Sequence, residues 1–126
     1  MLYLIRPNVP PRFEELDEPA RRALLDKFDA HPAELTISGQ VIAWNHIDEV
    51  EIAKAARQRT LSGWFVRHIV YAEERYHVGV YSGNSEAVLP NLPLAAAQFV
   101  VLSIAYYMQA PIRYSGVEGL VPVSEE

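Results

Sequence analysis

A chain of 126 residues, 50% hydrophobic and 21% charged, has the composition of one folded domain with a single core and not of a disordered segment. Its formal net charge of −5 argues against a general nucleic-acid binder and against broad attraction to anionic lipid, because both gain affinity by meeting negative charge with positive. The absence of cysteine excludes disulfides and thiolate metal sites.

In chain order, Leu2–Arg6 is a short β-prone run closed by Pro7, Pro10 and Pro11. Met1–Val9 holds one positive charge and Pro7 where a secretory leader needs a long apolar core, so a cytoplasmic location is the default expectation. An amphipathic helix is expected over about 17–30, with Asp17 as N-cap and Pro19 in the first turn. Ala20, Ala23, Leu24 and Phe28 share one face of it, Arg21, Arg22, Asp26 and Asp29 point away, and His31-Pro32 ends it.

From Ala33 the period changes to that of strands. Glu34–Ser38 and Val41–Trp44 read as a hairpin around Gly39, and Asn45-His46 as a second turn. In Ile47–Ile52 the charged Glu49 and Glu51 alternate with Val50 and Ile52, the mark of a half-buried strand. Ala53–Ser62 is a polar loop or strand end; Trp64–Tyr71 and Tyr76–Tyr81 are further strands about the charged turn Ala72–Arg75. Ser82–Ser85 is a turn, because Gly and Asn accept positive φ, and Glu86–Leu89 a last short strand. The meander thus spans about 33–89. With no helix between these strands, parallel βαβ units are not expected.

Leu89–Ala110 is the most apolar run, read as a helix over about 92–109 with Asn91 as N-cap and Pro111 as terminator. Its side chains fall into two arcs. Leu94, Ala97, Val100, Val101, Ile104, Tyr107 and Met108 form the broad one; Ala95, Phe99, Leu102 and Tyr106 form the other, with Gln98, Gln109 and Ser103 at the seams. A helix apolar nearly all round is covered on more than one side. The run is short of the roughly 20 apolar residues of a membrane span. After it, Ile112–Tyr114 is an expected edge strand within a loose acidic tail, 111–126. The fold class is therefore α+β: a bent antiparallel meander or barrel of about six or seven strands, capped by a C-terminal helix, with an added N-terminal helix.

The stretch Gly39–Trp44 followed by Ile47-Asp48-Glu49-Val50, and the close Tyr76–Tyr81, Ser82–Ser85, Glu86–Pro90 before an apolar helix, resemble bacterial pleckstrin-homology-like domains over Ala33–Ala110. The resemblance implies a strongly bent barrel of two near-orthogonal sheets with a terminal helix over one open end. Relatives that bind phosphoinositides do so through Lys and Arg in the first hairpin loop; here that loop, Ser38-Gly39-Gln40, contains no base.

Lys54, Arg57 and Arg59 form a basic cluster with no interspersed acid, able to hold a small anionic ligand or lipid head group through charge-assisted hydrogen bonds; the plainer reading is a solvated loop balancing Asp48, Glu49 and Glu51. His46, His68 and His77 lack the spacing that would make metal ligands of them. Ser62, Ser82 and Ser85 lack a nucleophile-elbow context, and the adjacent pairs Glu14-Glu15 and Glu73-Glu74 diverge rather than converge. Trp44, Trp64, Phe65, Tyr71, Tyr76 and Tyr81 read as core and cross-strand packing. No cofactor or metal is implied. The expectation is a non-enzymatic interaction module that self-associates, with a dimer favoured, or holds another protein, its interface being Phe99, Leu102 and Tyr106 on the second arc.

Overall fold

The computed structural model describes residues 2–55, 75–108 and 110–125. Its elements, in chain order, are β1 (Leu2–Leu4), a 3-10 turn (Phe13–Glu15), α1 (Glu18–Leu24), β2 (Phe28–Ala30), β3 (Leu35–Ile37), β4 (Gln40–Ile42), a second 3-10 turn (Trp44–His46), β5 (Glu49–Lys54), β6 (Tyr76–Ser82), β7 (Ser85–Leu92), α2 (Leu94–Tyr107), β8 (Arg113–Ser115) and β9 (Val123–Glu125). The class is α+β, with an N-terminal and a C-terminal helix as expected.

Alternation in the middle of the chain places the core. In β5, Val50 and Ile52 are fully buried while Glu49 and Glu51 stay half-buried, and Val78, Val80 and Leu89 continue that buried face into β6 and β7. The hairpins follow their turn residues. Ser38 (φ 50°) and Gly39 (φ 85°) both take positive φ between β3 and β4, and Gly83 (φ 59°) does so between β6 and β7, as two-residue hairpin loops require. Asp48 secures the second turn, its Oδ2 accepting from the Gly83 N–H at 2.7 Å.

The strands form a six-stranded sheet, β7-β6-β5-β8-β1-β9, and a three-stranded sheet, β2-β3-β4. Among the described residues these do not close into the expected barrel. β8 is an interior strand, parallel to β5 and antiparallel to β1, where an outer edge was expected. The parallel pair also corrects the expectation of antiparallel pairing alone. Residues 94–107 cross the sheet as a helix against β6 and β7 before the chain returns on the far side of β5, and a long crossover permits parallel pairing. The C-terminal stretch is not a loose tail either. β9 pairs with β1 and Val121 is buried. The expected strand at Trp64–Tyr71 lies outside the described residues.

Both helices are shorter than their patterns suggested. Asp17 caps α1, its Oδ1 accepting from the Ala20 N–H at 3.1 Å, but the helix stops at Leu24. Asp26 enters the left-handed region (φ 62°), and Phe28–Ala30 pairs with β3, so sheet bonding replaces the rest of the expected helix. At the other helix, Pro93 rather than Asn91 holds the N-cap position. β7 keeps pairing as far as Leu92 opposite Tyr76, and Asn91 (φ 56°) donates its N–H to His77 Nδ1 at 3.1 Å. α2 ends at Tyr107, and Met108 is already extended.

Ala96, Ala97, Val100, Val101 and Ile104 are fully buried; each such valine or isoleucine contributes about 1.5–3 kcal/mol. Gln98, at a seam of the helix, donates to the Leu120 carbonyl at 2.6 Å and so fastens the C-terminal stretch. Just after β8 there is no room for a side chain on Gly116: a Cβ there would overlap Ile52 Cγ2 and stand 2.6 Å from the Tyr114 hydroxyl. Gly116→Ala is therefore expected to lower unfolding stability in urea by about 1–3 kcal/mol, the ordinary cost of overpacking.

Candidate functional site

One flank of α2 is not sealed by the sheets. Phe99, Ser103 and Tyr107 recur at helical spacing along it, so their side chains lie on one side of the helix. Two other pieces of chain border this flank. One is Pro10–Glu14, where Arg12 leads into the first 3-10 turn; the other is the turn after α1 together with β2. Phe99 sits between them, its ring 6.0 Å from Phe13 and 6.0 Å from Phe28, edge-on to both. Edge-to-face geometry at this distance is the favoured aromatic arrangement.

The space enclosed is a groove of about 760 Å³, within the ~300–1,000 Å³ usual for binding pockets. Its floor is Phe99, Ser103 and Tyr107, its walls include Phe13, Phe28 and Leu24, and its rim carries Arg12, Glu14, Asp26, Lys27 and Asp29. Ser103, placed at a seam by the sequence, is buried beneath the groove, whereas Leu94, assigned to the core arc, is 40% exposed. Tyr107 divides this groove from a second hollow of about 310 Å³ beside Pro32, Ala33 and Trp44. Trp44 stacks on Tyr107 at 5.6 Å and 20°, and is held there by an Nε1–H bond to the His31 carbonyl at 2.7 Å.

Phe99, Leu102 and Tyr106, the residues expected to form an interface, are all half-buried. Their cover comes partly from their own chain. Phe13 and Phe28 flank Phe99, and the Arg6 guanidinium lies 5.3 Å above the Tyr106 ring while its Nε–H donates to the Tyr106 carbonyl. Of the basic cluster, Lys54 is exposed at the end of β5, opposite Tyr76; Arg57 and Arg59 lie outside the described residues. His46 is exposed on its turn, His77 accepts from Asn91, and His68 lies outside the described residues. Among the described residues no three His, Asp or Glu side chains converge as a metal site.

The groove residues Phe13, Phe28 and Tyr107 were not recognised as site residues from the sequence. Phe28 had the spacing of a helix face, and Phe13 stands in a proline-rich stretch without periodicity. No protein-family model, curated protein or solved structure matches the chain.

Two tyrosines away from the groove have displaced ionisation. Tyr81 is shifted up, first by burial and then by Glu51, whose carboxylate accepts from its hydroxyl at 3.2 Å. Tyr114, on interior strand β8, is pushed up to about 12 by burial, and its hydroxyl has no hydrogen-bond partner among the described residues. Neither is a base at neutral pH. Between the ordinary tyrosine value of 10.0 and about 12, the unfolded chain releases the Tyr114 proton while the folded chain retains it. Stability is therefore undiminished by this group below pH 10.0 and falls as pH rises towards 12. Tyr114→Phe is expected to flatten this alkaline loss in thermal melts while leaving the neutral-pH melting temperature equal or higher, because it removes a hydroxyl buried without a partner.

Proposed function

We propose that this protein is a non-enzymatic interaction module that holds an apolar part of another protein, or of a second copy, on the open flank of α2. The observation that carries the reading is the groove itself. Three phenylalanines from three separate parts of the chain converge on it, and Phe99, between the other two, is only half-buried. Aromatic side chains collected at a concave, partly solvated surface with a charged rim match the anatomy of protein-binding sites, whose centres are aromatic and whose margins are polar. The basic-cluster alternative draws no comparable support from the described residues.

The test combines solution mass with peptide titration. Light scattering after size exclusion, over a range of concentrations, reports self-association. Two-dimensional amide NMR then follows titration with three peptide classes: extended alternating, amphipathic helical and polyproline. The expected result is that a second copy or one peptide class shifts the amides of Phe28, Ala30, Phe99 and Ser103. A monomer at every concentration, with those amides unmoved by all three classes, overturns the reading.

A further inference from the structure

The edge of β2 shows what the groove is built to hold. At one end of the β2–β3 ladder, His31 and Glu34 exchange both backbone bonds, at 3.0 and 3.1 Å; at the other, the Ser38 N–H donates to the Lys27 carbonyl at 2.8 Å. Asp29 faces Thr36 between them. Antiparallel ladders alternate, so residues 27, 29 and 31 bond inward to β3, and Phe28 and Ala30 turn their N–H and C=O groups outward. Among the described residues β2 is one of the two outer strands of its sheet, and Phe28, Asp29 and Ala30 all line the groove. The opposite wall, Pro10–Glu14, begins with two prolines. Proline has no N–H, so Pro10 and Pro11 have no donor to offer this edge, and no backbone bond joins Pro10–Glu14 to β2 among the described residues.

Side-chain alternation adds the specificity. Phe28 and Ala30 face inward with Leu35 and Ile37, towards Phe99; Asp29 faces outward with Thr36. Asp26 in the preceding turn and Glu34 beyond the strand are also exposed, with Lys27 the one lysine or arginine in the 26–34 stretch. A strand laid against β2 would place residues opposite Phe28 and Ala30 over the aromatic floor. The intervening residue would stand opposite Asp29 at a non-hydrogen-bonded position, where cross-strand side chains lie closest.

We propose that the groove receives an extended segment of a partner protein, alternating apolar and basic residues, which adds as an antiparallel strand to the free edge of β2. Its apolar residues exchange backbone bonds with Phe28 and Ala30 and rest on Phe13 and Phe99. Its basic residue pairs with Asp29. The mode is strand addition, in which main-chain bonds supply affinity and alternate pockets supply specificity. The proposal rests on the reading of the groove as a protein-binding site.

The test uses a fluorescein-labelled, end-blocked heptapeptide alternating Val and Lys, titrated with the full chain and read by anisotropy. Binding is expected, weakened by about tenfold or more, roughly 1.4 kcal/mol, when the Val amides are N-methylated and little changed when the Lys amides are. Ala30→Pro, which removes an outward N–H and leaves the inward ladder intact, is expected to weaken binding similarly with an unchanged circular-dichroism spectrum. If that variant unfolds, the pair of methylated peptides decides alone. Asp29→Lys is expected to reverse preference towards a Val–Glu peptide. The proposal is overturned by no binding up to about 1 mM, by equal binding of a peptide with its Val and Lys in separate blocks, or by indifference to Val N-methylation. Should helical or polyproline peptides, or a second copy, occupy the groove while this peptide does not, strand addition fails and the interaction-module reading stands. Should nothing occupy it, both fail.

Discussion

A helix that is apolar on almost every side must be covered on almost every side, and the rest of this molecule is arranged to do that. The six-stranded sheet takes the face bearing Val100, Val101 and Ile104. α1 and β2 pack against another side, and the stretch before β9 is tied to Gln98. Arg6 lies over Tyr106, so even a cation near the N-terminus contributes to the cover through the ring face. The parallel return of the chain at β8 follows from this helix crossing the sheet.

Covers drawn from separate segments meet imperfectly, and the groove is where they fail to meet. Among the described residues Pro10–Glu14 and β2 border the helix flank without a backbone bond between them, and Pro10 and Pro11 have no N–H to offer one. Phe99 bridges the gap as a wedge between Phe13 and Phe28. The result is a concave aromatic surface with backbone groups at its border. A core side chain would have filled that space, and a flat surface would have left no wall.

The sheet edges differ in how far they are protected against pairing. β7, at one end of the larger sheet among the described residues, carries Pro90 and Glu86 along its length, and proline and charge both discourage an added strand. β2 has no proline, and its three residues line a groove. Its single outward charge, Asp29, selects among incoming strands more than it repels them. That contrast is the physical basis for regarding β2 as a receiving edge.

Local chemistry made several parts legible in the sequence. Period-2 alternation placed β5, positive-φ residues placed the Gly39 and Gly83 hairpins, Asp17 announced the start of α1, and the apolar run placed α2. Each of these depends on residues within a few positions of one another. What stayed hidden depends on distant partners. Phe28 had helical spacing with Leu24, and only pairing with Ile37 makes it a strand residue. Tyr114 looked like an edge residue until β5 and β1 flanked it. Phe99 and Tyr106 were recognisable as apolar excess on the helix, but their neighbours Phe13, Phe28 and Arg6 were not. The sequence by itself determined which segments must be helix or strand and that the last helix needs cover. Tertiary structure alone decided which segments supply that cover and where it stays open, because burial rewards whichever distant surface fits and leaves no periodic trace in the chain.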